Sequence, residues 1–145
     1  MCVLRAYGKN FDVDRFLKKC PWKVSVTYRG DVYHQRKAAK SGFNALVSND
    51  ASMELAPQLR DAVKFIKKNR NLLIRLRKCP GLEGMELDFL LAGRLRPKKI
   101  AVYEERLPAE FIQLAGATGL SVALTICDVY ADFLRPKKAS KRQKH

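Results

Sequence analysis

The sequence predicts an α+β domain, a mainly antiparallel sheet with helices on one face. Three observations carry this. Short runs alternate apolar and polar residues, as in Val24-Ser25-Val26-Thr27-Tyr28 and Met85-Glu86-Leu87-Asp88-Phe89, the period of a half-buried strand. Leu55, Leu59, Val63 and Ile66 recur at spacings of four, four and three, the period of a helix with one apolar side. The elements run β-α-β-β-α and then β-β-α-β. The first part plus the next strand spells the βαββαβ order of a ferredoxin-like layer, and the rest reads as a partial second copy.

Each element has a local reason. Residues 2–7 (CVLRAY) are apolar and β-rich, and Gly8-Lys9-Asn10 ends them. Asp12 is placed to cap a short helix whose apolar side is Val13, Phe16 and Leu17, with Phe11 folding back on Phe16 as a hydrophobic staple. Pro21 closes that helix. The strand 23–28 puts Val24, Val26 and Tyr28 on one face. Arg29-Gly30-Asp31 is its turn, Val32–Gln35 extends the pairing, and Arg36–Lys40 is a basic loop. Phe43–Val47 is the next strand. The long helix starts at a Ser52 cap or with Pro57 in its first turn. Asn69–Asn71 interrupts it, and Leu72–Lys78 is a second helical piece ended by Cys79-Pro80-Gly81. Met85–Phe89 is a strand, Arg94–Lys99 a basic turn, and Ile100–Glu104 a further strand. Pro108 opens a helix carrying Phe111, Ile112, Leu114 and Ala115, ended by Gly116 or Gly119. Leu120–Cys127 is a buried strand with Leu120, Val122, Leu124 and Ile126 on one face.

Composition bounds the function. The 145 residues are 47% hydrophobic and 30% charged, with 29 Lys+Arg against 14 Asp+Glu and a net charge of +15. That is globular composition, and it predicts a single domain over 1–131 followed by a basic, disordered tail over 132–145. No apolar run reaches the roughly 18–20 residues of a membrane span. The start Met1-Cys2-Val3-Leu4-Arg5 has no basic region ahead of an apolar one. Both point to a cytoplasmic protein with no membrane partner. Cys2, Cys20, Cys79 and Cys127 are widely separated and form no CxxC pair, so they read as small buried apolar residues rather than as a disulfide or zinc framework.

Taken together, Phe11-Asp12-Val13-Asp14, Pro21, Tyr28-Arg29-Gly30-Asp31, Ser41-Gly42-Phe43, Leu55–Ile66, Leu107-Pro108-Ala109-Glu110 and a last strand through Tyr130 form a pattern. It resembles a bacterial family of small α+β domains of unknown function (forty-two seventy-nine) over about residues 2–130. The family often carries a tryptophan after the turn, where this chain has Phe43. The resemblance implies a fold and brings no reaction, so no site residue is carried over from it.

Basic residues form the strongest clusters. The segment 135–145, RPKKASKRQKH, holds six Lys/Arg and no acid. Leu95-Arg96-Pro97-Lys98-Lys99 recurs verbatim as Leu134-Arg135-Pro136-Lys137-Lys138. The central helical region adds more. The candidate polyanion-binding residues are Lys64, Lys67, Lys68, Arg70, Arg75, Arg96, Lys98, Lys99, Arg135, Lys137, Lys138, Lys141 and Arg142, with Arg77 and Lys78 beside them. A solvated helix face and exposed turns account for part of this charge. Tyr33 and Tyr103 are candidate stacking residues. No GxSxG, Walker A, GxGxxG or HExxH motif occurs, and His34 has no evident carboxylate or nucleophile partner.

The sequence thus predicts a non-enzymatic binding module with no cofactor, no catalytic residue and no metal ligand. Its first-ranked partner is an acidic protein, as for an immunity-type factor. The alternative is weak, salt-sensitive nucleic-acid binding through the basic helix and tail. The third reading is an enzyme whose site is assembled from distant residues. The sequence leaves the oligomeric state open.

Overall fold

Residues 2–8 set the middle of the sheet. Cys2, Leu4 and Ala6 are fully buried, while Val3, Arg5 and Tyr7 point the other way and are half-buried. The computed structural model describes residues 1–28, 40–93 and 104–128. Among these the elements are β1 (Cys2–Gly8), α1 (Val13–Leu17), β2 (Val24–Tyr28), β3 (Ser41–Ser48), α2 (Leu55–Arg77), β4 (Gly84–Gly93), α3 (Ala109–Thr118) and β5 (Ser121–Asp128). The fold is α+β, and the five strands lie in the order β2-β3-β1-β4-β5. β1 runs antiparallel to both β3 and β4, and β2 antiparallel to β3. β4 and β5 are parallel. Parallel neighbours need a crossover connection rather than a tight turn, and the chain between them includes α3.

α1 forms as its sequence predicts. The Asp12 carboxylate accepts from the Arg15 backbone N–H at 3.0 Å, and the Phe11 and Phe16 rings meet at 6.3 Å. α2 differs from expectation, because it runs unbroken from Leu55 to Arg77. Asn69 does not interrupt it. Its amide donates to the Phe65 carbonyl at 2.8 Å, and its side-chain oxygen accepts from the Trp22 indole at 2.9 Å. Ile66, Leu73 and Leu76 carry the buried stripe across the Asn69–Asn71 stretch, and packing of that stripe outweighs weak local propensity. The cap of α2 is Glu54 rather than Ser52. Ser52 instead sits in a turn whose Asp50 carboxylate accepts from its N–H at 2.8 Å. Pro57 is the third helical residue, still within the turn whose N–H groups lack intrahelical partners. Pro108 lies just before α3 rather than inside it. Of the two glycines offered as its end, Gly119 is the one, at φ 76°. The Leu120 N–H reaches the Ala115 carbonyl at 2.9 Å there, a Schellman closure that needs the left-handed conformation.

The buried apolar residues gather in one core. Leu4 and Ala6, Phe43 and Ala45, and Leu87 and Phe89 join the buried residues of α1, α2 and α3 in one cluster. At one end Phe16 stacks on Phe43 at 5.7 Å, with Trp22 at 6.2 Å from Phe43. Toward the other end Phe89 meets Phe111 edge-on at 5.6 Å.

Four further expectations are corrected. Val24 and Val26 do not share a face. A register shift between them turns Val24 toward the core and leaves Val26 41% exposed. Leu124 and Ile126 are not buried but 42% and 61% exposed. Among the described residues β5 is an edge strand, and α3 packs mainly on α2 and only lightly on β5. Only Cys2 of the cysteines is buried; Cys20, Cys79 and Cys127 are half-buried. Glu104 lies outside any strand. The turn at 29–31, Val32–Gln35, most of the loop 36–40, the turn 94–99, the strand through 103 and the tail lie outside the described residues, as do His34, Tyr33 and Tyr103.

Two stability predictions follow from the core. Phe43→Ala, which removes a fully buried ring in contact with three others, lowers unfolding free energy by about 3–5 kcal/mol in urea titrations. Burial pushes the Cys2 thiol from 9.0 up to about 12, with the N-terminal ammonium opposing and Asp88 and Asp61 adding. The folded value is raised, so this contribution is complete below the unfolded value and is lost as pH rises from 9.0 toward about 12. Urea midpoints at about pH 8 and about pH 10.5 therefore fall further for the native chain than for Cys2→Ala.

Candidate polyanion-binding surface

α2 is held to the core by Leu55, Leu59, Ala62, Ile66, Leu73 and Leu76. With 3.6 residues per turn, positions 60, 64, 67, 68, 71 and 75 fall on the opposite side. They are Arg60, Lys64, Lys67, Lys68, Asn71 and Arg75, all exposed, and Lys78 follows at the helix end. From Arg60 to Lys78 this ridge is about 27 Å long at the α-helical rise. Of the sequence-predicted residues, Lys67 is paired, its ammonium 2.6 Å from Glu110 on α3. The helical spacing puts Arg70 on that same side. Lys64, Lys68 and Arg75 lean the other way and have no ion pair among the described residues. Asp61, the one acid within α2, is half-buried and accepts from the Ser48 hydroxyl at 2.7 Å.

The chain from α1 to β2 faces this side of the ridge. It carries Arg15, Lys18, Lys19 and Lys23, all exposed. None of these was singled out from sequence. The signal was present as basic residues interleaved with an aromatic, Lys18-Lys19-Cys20-Pro21-Trp22-Lys23. Two depressions lie between this segment and α2. One, of about 390 Å³, brings Arg15 and Lys19 to Arg75 and Lys78, beside Asp12 and Cys79. Burial raises the Cys79 thiol, while the charges of Arg75 and Arg15 pull it down. The other, of about 410 Å³, sets Trp22 and Lys23 opposite Lys64, Phe65 and Lys68. Trp22 is fixed there by its hydrogen bond to Asn69 and by the Phe65 ring at 5.4 Å.

The far face of the sheet contrasts with this strip. Tyr7 and Tyr28 lie flat over glycines, and a Cβ on Gly84 or Gly42 would meet their rings at 2.6 Å. Two cations on this side are paired. Arg5 pairs with Asp88, which also accepts from the Thr125 hydroxyl at 2.6 Å. Lys40 lies 5.0 Å from the Tyr7 ring centre and 2.8 Å from the Glu83 carboxylate. That hydrogen bond raises the Lys40 pKa and lowers that of Glu83.

Chemically, the strip can hold phosphate or carboxylate oxygens through ammonium and guanidinium donors. Among the described residues no group of three or more His, Cys, Asp or Glu could hold a metal ion. No helix among them is long and apolar enough to cross a membrane. Arg96, Lys98, Lys99, Arg135, Lys137, Lys138, Lys141 and Arg142 lie outside the described residues, and with them both copies of the repeated pentapeptide. Compared with protein-family models, curated proteins and solved structures, the chain matches none.

Proposed function

We propose that this protein is a non-enzymatic binding module for nucleic acid, engaging phosphates along α2 and the facing segment 15–23. The observation that carries the reading is the one-sided ridge of exposed cations without ion pairs among the described residues, Lys64, Lys68 and Arg75, answered across two depressions by Arg15, Lys19 and Lys23. Phosphate binding by Lys and Arg draws on counterion release and needs no apolar interface. Protein interfaces, by contrast, are depleted in lysine at their centre. The exposed apolar residues that would suit an acidic protein partner, Ile112, Leu124 and Ile126, belong to α3 and β5 rather than to this strip. This ranks nucleic acid ahead of the acidic protein that the sequence placed first.

The scaffold belongs to the same proposal. We read β1-α1-β2-β3-α2-β4 as a ferredoxin-like layer. The spatial order β2-β3-β1-β4 with antiparallel neighbours supports this. The single buried cluster supports helices on one face. α3 and β5 extend that layer. The family resemblance and a cytoplasmic location stand as part of this reading and add no residue to the site.

The test uses the full chain and a labelled single-stranded oligonucleotide in fluorescence anisotropy, titrated over salt. Affinity should fall linearly on a log–log plot. In the charge-reversed variant Lys64→Glu/Lys68→Glu/Arg75→Glu the slope should shrink by about 2, at about 0.7 per lost phosphate contact. An unchanged slope would move the binding to residues 135–145. Affinity that ignores salt would overturn the nucleic-acid reading and favour a protein partner.

A further inference from the structure

The depression around Trp22 differs from the rest of the strip. Its floor is aromatic, with Trp22 and Phe65 at 5.4 Å, and its rim is cationic, with Lys23 on one side and Lys64 and Lys68 on the other. Its volume of about 410 Å³ lies within the about 300–1,000 Å³ typical of small-ligand sites. Trp22 is half-buried. Its edge is anchored by the bond to Asn69, and its rings are braced by Phe16 at 5.9 Å and Phe43 at 6.2 Å. The indole is thus held in place before any ligand arrives, which reduces the ordering cost of stacking on it.

The polar groups of the wall are already engaged. The Asn69 oxygen accepts from Trp22 and its amide donates to the Phe65 carbonyl. The Asp61 carboxylate accepts from Ser48. What remains for a ligand is mainly a π surface and nearby ammonium groups, beside the Asp61 oxygen that Ser48 does not engage. Stacking of this kind tolerates any base, since every base has a π face, while sequence readout needs free donors and acceptors. In a duplex the base faces are occupied by their neighbours, so only an unstacked strand can use the site.

From this we propose that the strip is a single-strand site with little base preference. A base stacks in the Trp22–Phe65 depression between Lys23 and the Lys64/Lys68 pair, and a neighbouring phosphate is held among Arg15, Lys19, Arg75 and Lys78. This rests on the nucleic-acid reading above and names its substrate class.

Trp22 is the only tryptophan, so its fluorescence reports the site directly. The full chain is titrated with oligothymidylate and oligoadenylate of about 10 nucleotides, within the range of about 4–16 for comparable sites, and with a duplex of the same length. Both single strands should quench the indole and bind within a few-fold of one another. The duplex should bind more weakly and leave the indole signal unchanged. Trp22→Ala should weaken single-strand binding about 5- to 150-fold, as loss of one stacked base predicts. Trp22→Phe should retain most of it. Should Trp22→Ala fail to fold, quenching in the native chain and the single-strand preference decide the matter.

Duplex and single strand binding equally, with unchanged fluorescence, would overturn the stacking site while leaving phosphate binding along α2 intact. A preference of more than about tenfold for one base would overturn the lack of readout. No binding of any nucleic acid at roughly physiological salt would remove the underlying reading itself.

Discussion

One side of α2 is fastened to the sheet from its first turn to its last. Leu55 and Leu76 are both fully buried, as are Ala62, Ile66 and Leu73 between them. A helix with a single apolar stripe cannot rotate without pulling that stripe into water. Exposing one such side chain costs about 1.5–3 kcal/mol. The stripe therefore fixes where every other side chain of α2 points. Because the exposed polar positions of this helix are almost all Lys or Arg, fastening the apolar side produces a cationic edge on the other. Asn69 contributes by holding Phe65 and Trp22 together where the helix was expected to break.

The facing wall depends on the aromatic group at the β3 end of the core. Phe11, Phe16 and Trp22 converge on Phe43. Those contacts draw the chain from α1 to β2 against α2. Arg15 and Lys19 are carried on this short segment, and Trp22 is both part of the packed group and the floor of a depression. Core and candidate site are thus joined through one residue. A ring that packs on one face and lines a groove on the other suits an amphipathic indole, with a polar N–H that finds a partner in Asn69.

Much of this was legible in the sequence, and the failures have physical causes. Period-two runs located β2 and β4, an apolar β-rich run located β1, β3 was also read as a strand, and the Asp12 cap with its Phe11–Phe16 staple came directly from residue order. The continuity of α2 was missed because asparagine disfavours helix interiors on its own account, whereas Asn69 is retained by partners distant in sequence. The exposure of Leu124 and Ile126 was missed because alternation says which residues share a face and not whether anything covers it. For the site, the basic count on α2 was visible. Which of its lysines were unpaired was not, since Lys67 meets Glu110 from α3, 43 positions away in sequence. The Lys18–Lys23 wall was hidden for the same reason, as only the fold brings it opposite Lys64 and Lys68.

The arrangement of charge runs against stability. Arg60 and Lys64, and Lys64 and Lys68, stand four apart on α2, and Lys64 and Lys67 three apart. Like charges at such spacings destabilise a helix by about 0.2–0.5 kcal/mol per pair. Arg75 and Arg77, in the last turn, gain from the helix dipole; Lys64 and Lys68, far from either end, gain nothing comparable. Elsewhere two cations are paired, Arg5 with Asp88 and Lys40 with Glu83. The penalties on α2 are small beside the loss from removing one buried ring such as Phe43, about 3–5 kcal/mol. A core of this kind can therefore hold together a ridge that electrostatics alone would disperse. A row of like charges, most of them without an ion pair among the described residues and held at a cost in stability, suits a surface kept ready for an oppositely charged partner.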